Sequence, residues 1–448
     1  MNPCLIHRAQ LVNEGREYQA SVLIENGIIS EIFEGEVPSG ILSGTKIIDA
    51  QGLHLFPGVI DDQVHFREPG LTHKGDIASE SKAAVAGGVT SFMEMPNTLP
   101  QTLTIELLEK KFKKASEVSP ANYSFYMGAS NDNLAELKRV DPSVTCGIKV
   151  FMGSSTGDML VDDPEALARI FSLKNILIAT HCEDEQIIRH NAELYRIRFG
   201  ENVPVRYHPS IRSEEACFKS TRLAIDLARK HDTRLHILHL STARELNLLD
   251  PSPASEDKRI TAEACVHHLW FSQDDYDRLG TKIKWNPAIK TAYDRQALVN
   301  GLTNNLIDVV ATDHAPHTLA EKENPYFTCP SGGPLLQHSL QMMIELSQRG
   351  LFPLTTVSEK MAHAPARLFG INRRGFIRKG YYADLVLVNL NKPHLVTVDT
   401  LLYKCSWSPL EGVRFGSSVV HTFVNGNLVY DGKNVTDTYR GMPLRFNR

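Results

Sequence analysis

Between residues 55 and 312 the chain alternates short apolar runs with amphipathic stretches. The apolar runs at 55–66, 89–95, 122–129, 146–152, 175–181, 234–240, 260–266 and 306–312 predict eight strands. Helical patterns, such as those at 104–115 and 213–230, separate most of them. Near-continuous apolar strands joined by helices predict a parallel sheet covered on both faces. An open doubly wound sheet and a closed (β/α)₈ barrel both satisfy that pattern. The count of eight, and a polar residue at the carboxyl end of nearly every strand, favour the barrel, whose active site sits at that end. Outside this region the pattern changes. Residues 20–29 form a hairpin signal around Asn26-Gly27, and 383–388 and 421–430 repeat the style. The expected organisation is a barrel at 56–367 and a small β-sandwich domain formed by both termini, 1–55 and 368–448.

Composition narrows the function. The net charge of −4 over 448 residues argues against a nucleic-acid footprint. No apolar run approaches the ~20 residues of a membrane span, and the first residues lack the features of a signal peptide. Seven cysteines, with no C-x-x-C pair, suit reduced thiols in a cytoplasm. A small-molecule substrate is the remaining expectation.

The chemistry lies at the strand ends. The first strand runs into Gln63-Val64-His65-Phe66-Arg67-Glu68-Pro69-Gly70, and strand alternation would set Gln63, His65 and Arg67 on one face. The second ends Met95-Pro96-Asn97-Thr98. The fourth carries Lys149 inside Ile148-Lys149-Val150-Phe151. The fifth closes on His181, the sixth on His239, the eighth on Asp313-His314-Ala315-Pro316-His317. A lysine buried in a central strand is costly as a cation, so desolvation lowers its pKa. The neutral amine can add carbon dioxide to become a carbamate, a carboxylate-like group able to bridge two metals. His65, His181, His239 and Asp313 then read as ligands of a catalytic zinc.

These residues resemble the amidohydrolase superfamily and, within it, the class I dihydroorotases. The features that carry the resemblance are Arg67 two residues after His65, the Met-Pro-Asn-Thr end of strand two, and His317 four residues after Asp313. The resemblance covers the whole chain. It implies two zinc ions bridged by carboxylated Lys149, one held by His65, Lys149 and Asp313 and the other by Lys149, His181 and His239. It implies that Arg67, Asn97, Asn286 and His317 bind substrate and that Asp313 moves the proton. The implied reaction closes N-carbamoyl-L-aspartate to L-dihydroorotate in pyrimidine biosynthesis, by a homodimer that associates with other enzymes of that pathway.

Two departures qualify it. Gln63 stands where the family pattern has a histidine, and an amide oxygen is a weaker zinc ligand than imidazole. Unequal metal sites follow, one firmly held and one partial. The loop 331–337 lacks the usual Gly-Leu-Glu, leaving Gly332 as the candidate for a backbone contact to substrate. The rival readings are a hydantoinase- or allantoinase-like enzyme and a non-catalytic homologue serving as a structural partner. Elsewhere, His267 and His268 read as support for the site, and His208 as structural. Residues 153–157 read as a hydroxyl-rich loop without phosphate-loop spacing, and the run 109–114 as a solvated helix face.

Overall fold

The computed structural model describes residues 3–153, 159–255 and 257–448. All but the first residue of the hydroxyl-rich loop therefore lie outside the described residues. Eight strands, Val59–Val64, Val89–Glu94, Asn122–Gly128, Gly147–Phe151, Ile178–His181, Leu235–Ile237, Ile260–Cys265 and Val309–Ala311, lie side by side in chain order. Every neighbouring pair is parallel. A parallel bridge between Val64 and His314, with the His65 amide donating to His314 O at 2.7 Å, joins the last strand to the first and closes the barrel.

The helices form where the pattern places them, with their caps. Thr104 caps Ile105–Val118 and Ser213 caps Glu214–His231, each accepting a backbone N–H three residues on. The charge run differs from expectation. Lys111 turns inward, is buried, pairs with Glu94 and donates to Met95 O at 3.0 Å. One residue in a helical run can face the sheet while its neighbours face water.

The run 55–66 is two strands rather than one. His54–Pro57 pairs with Leu385–Asn389 in the terminal sheet, and Val59–Val64 enters the barrel. Gly58 makes the break. A Cβ there would lie 2.1 Å from the Thr90 hydroxyl, and its amide donates to Asp384 O at 2.7 Å. The sheet built from both termini has eight strands, with His54–Pro57 between the N- and C-terminal sets. Its Asn26-Gly27 and Asn425-Gly426 turns hold both residues at positive φ, as a two-residue hairpin demands.

Candidate active site and metal centre

Every residue singled out above as a site candidate lines one cavity of about 410 Å³ at the carboxyl ends of the barrel strands. Simple alternation does not explain this. The first strand stops at Val64, and Arg67 reaches the cavity through a left-handed turn at φ 69°. His239 and Asp313 are also left-handed, at φ 40° and 45°. Such backbone is uncommon for side chains of this size and collects at functional sites.

Two groups of metal-binding atoms face the cavity. In one, His181 Nε2 donates to Glu183 Oε2 at 3.0 Å, which leaves Nδ1 with its lone pair, 3.0 Å from His239 Nε2. Burial would raise Glu183, but the Arg212 guanidinium and His181 hold it at about 2. A fixed carboxylate behind an imidazole is the usual support of a metal-ligating histidine. In the other group His65 Nδ1 donates to Asn97 Oδ1 at 2.7 Å, so its Nε2 lone pair faces Asp313 Oδ1 at 3.0 Å. Two lone pairs in contact call for a cation between them. Burial lowers His65, His181 and His239, keeping each in the neutral, ligating form. Lys149 is buried between the groups, and its ammonium is pushed down to about 8 by desolvation, against the pull of Asp313 and Glu263. This donor set fits a divalent metal.

Gln63 lines the same cavity. Its Nε2 donates to Asp313 Oδ1 at 3.1 Å, and its Oε1 lies 3.8 Å from Cys265 Sγ. The amide thus satisfies part of Asp313 by hydrogen bonding.

In the same cavity Arg67 is buried, donating Nε–H to Pro316 O at 3.0 Å, with Nη2 3.0 Å from His317 Nε2. Gly332 gives its N–H to Lys284 O at 2.8 Å, and its carbonyl accepts from Lys322 at 2.8 Å. His208 bonds Tyr326 OH at 2.7 Å and Trp285 O at 2.6 Å, holding the segment that carries Asn286. His267 lies in the short helix Val266–Trp270 after strand seven and stacks on Trp285 at 4.4 Å.

Sequence reasoning missed Lys74, which lines the cavity from a loop without periodicity. It also missed a buried cluster of Asp62, His236 and Glu263, three groups able to hold a metal ion, on the first, sixth and seventh barrel strands.

A closed eight-stranded barrel with imidazoles, a buried lysine and an aspartate at its carboxyl ends defines a hydrolase, and the chain belongs to the amidohydrolase family, whose model matches residues 54–429. It is 33% identical over 406 residues to a dihydroorotase of Methanosarcina acetivorans, covering 88% of this chain and 85% of that protein. It is 30% identical over 435 residues to an allantoinase of Bacillus velezensis, covering 95% and 93%. Among solved structures it superposes on an L-hydantoinase from Arthrobacter aurescens with a TM-score of 0.90 and 25% identity, over 97% of this chain and 98% of that one. Among the described residues no helix is long and apolar enough to cross a membrane.

Proposed function

We propose that the chain is a dihydroorotase, interconverting N-carbamoyl-L-aspartate and L-dihydroorotate. The observation that carries this reading is Arg67, a buried guanidinium in the cavity wall beside His317. A guanidinium can hold a carboxylate through two parallel bonds. Dihydroorotate carries a ring carboxylate, whereas hydantoin and allantoin carry none. The Methanosarcina dihydroorotase relative supports the reading.

In this reading zinc would be held by His181, His239 and Lys149 at one end and by His65, Asp313 and Lys149 at the other, with Lys149 as its carbamate. When bound, the metal supplies Lewis acidity to a water and to the ring carbonyl. Asp313 accepts the proton of the attacking water and returns it to the leaving ring nitrogen. Arg67, Asn97, Asn286 and His317 fix the ring against that aspartate. Gln63 spends its amide on Asp313, so the His65 end holds its ion less firmly. We place the enzyme in the cytoplasm as a homodimer working beside other pyrimidine-pathway enzymes.

Arg67→Ala tests the substrate. Loss of a buried charge-assisted contact costs roughly 2–5 kcal/mol, about 30-fold or more in kcat/KM for dihydroorotate, chiefly through KM. Unchanged dihydroorotate kinetics would sink the assignment. The allantoinase and hydantoinase similarities favour a second reading, a cyclic amidohydrolase acting on an uncharged ring. Turnover of hydantoin or allantoin, unaffected by Arg67→Ala, would establish it. A folded, metal-loaded chain inert to all three substrates would point to a structural partner.

A further inference from the structure

Beneath the cavity, inside the barrel, lie Asp62, His236 and Glu263. All three side chains are fully buried. His236 Nε2 is 3.1 Å from Asp62 Oδ2 and 3.7 Å from Glu263 Oε2, and one ligand atom from each residue lies within 4.8 Å of the other two. Yet both Asp62 carboxylate oxygens, Glu263 Oε2 and His236 Nε2 make no hydrogen bond of acceptable geometry. Unless His236 is protonated, four such atoms converge unmet in a dry core, each at a cost of roughly 1–3 kcal/mol.

The rest of the cluster says what is needed. The Thr261 hydroxyl donates to Leu235 O at 3.2 Å, so it accepts from His236 Nδ1 at 2.9 Å. His236 therefore spends its Nδ1–H on Thr261 and, in its neutral form, turns the Nε2 lone pair toward two carboxylates. A neutral imidazole with two ionised carboxylates carries a charge of −2, which a divalent ion cancels; without one, burial and the neighbouring Asp62 raise Glu263 to about 7. Donor atoms around one ion at about 2.0–2.2 Å stand roughly 3–3.6 Å apart. The observed 3.1 and 3.7 Å separations fall close to that range. Mixed imidazole and carboxylate ligands suit a zinc-class divalent metal.

We propose that Asp62, His236 and Glu263 form a second metal site, sealed inside the barrel and separate from the catalytic cavity. The ion ties the first, sixth and seventh strands together. Glu263 extends its effect upward, because its other oxygen, Oε1, accepts the His239 amide at 2.9 Å. A metal on Oε2 would lock that carboxylate and so hold His239 in its left-handed turn. With no solvent access, the ion enters as the chain folds and stays. The proposal stands on the cluster alone and does not depend on which ring the cavity hydrolyses.

The competing occupant is a proton. Without an ion, burial would lower His236 and the two carboxylates raise it, to about 9, giving an imidazolium between them. Metal counting separates the two. The full chain, purified with zinc and then treated with a chelator under native conditions, should lose its cavity metal and retain one equivalent per chain. That equivalent should leave only in denaturant, and Asp62→Asn or Glu263→Gln should abolish it, while His181→Ala should not. Should those variants fail to fold, crystals of the unaltered chain still decide. Anomalous scattering at the zinc edge should place a peak about 2 Å from His236 Nε2. No peak there, or a native chain emptied completely by the chelator, overturns the proposal.

Discussion

Lys74 shows how much one residue can decide. Its ammonium lies 3.0 Å from His317 Nδ1 and 2.9 Å from Glu321. Lysine only donates, so Nδ1 must accept and the ring proton sits on Nε2. That Nε2–H is 3.1 Å from Ser331 O and 3.0 Å from the Arg67 guanidinium. The Nε2–H is spent on Ser331 O, so this nitrogen cannot accept from Arg67, whose Nη2 stays available to a substrate anion. Lys74→Met releases the tautomer and should raise KM for a carboxylate-bearing ring about tenfold with kcat nearly unchanged, whereas Lys74→Arg should retain affinity. Equal losses in both variants would mean packing rather than proton placement. Gln63 makes the second prediction at this scale. Its amide competes for Asp313, so chelator titration of cavity metal should show two steps, and Gln63→His should merge them. A single step in the unaltered chain would show the two ends to be equivalent. The ligand candidates were legible because a polar residue ending an apolar run is a visible break in the pattern. Lys74 sits among Gly, Thr and His in a loop, and Asp62 is masked by the acidic residue beside it, so neither breaks a pattern.

Among elements, the eight strands and their helices follow from periodicity, and the boundaries do not. The sequence reads 55–66 as one strand because apolar residues stand on both sides of Pro57-Gly58, and only the Thr90 contact shows why Gly58 must divide it. The same blindness hid Lys111. Its helix shows one lysine among four charged neighbours, yet the second strand ends on Glu94, which needs a buried partner. Glu94 also accepts the Phe66 amide at 3.2 Å, next to His65. The pair thus joins the helix Ile105–Val118 to the rim of the site. Lys111→Met leaves Glu94 buried and unpaired, and should cost about 3–5 kcal/mol in denaturant unfolding. Adding Glu94→Gln should restore much of that loss, since no uncompensated charge then remains. If the single and double variants unfold alike, the pair contributes packing only.

At the scale of the whole molecule, the termini and the barrel are joined more closely than a two-domain reading of the sequence suggests. The strand His54–Pro57 belongs to the terminal sheet and continues within two residues into the barrel. Asp384, at the edge of the C-terminal strands, binds across the boundary. Its carboxylate pairs with Arg374 and accepts from Asn122 Nδ2 at 3.2 Å, at the start of the third barrel strand. It also accepts the Asn425 amide at 2.7 Å, and Asn425 Nδ2 in turn donates to Asn122 Oδ1 at 2.7 Å. These groups are buried, so breaking one strands the others without water. The pattern of apolar runs cannot show this, because the partners are some 260 to 300 positions apart along the chain. The boundaries 1–55, 56–367 and 368–448 therefore mark changes of architecture, and we propose that they do not mark independent folding units. Calorimetry of the full chain should show one cooperative transition. Asp384→Ala removes the central acceptor and leaves Arg374 buried without its carboxylate, at a cost of about 3–5 kcal/mol. The expected outcome is a lower and split transition, with the terminal sheet melting first. Two separate transitions in the unaltered chain would show that the terminal sheet and the barrel fold independently.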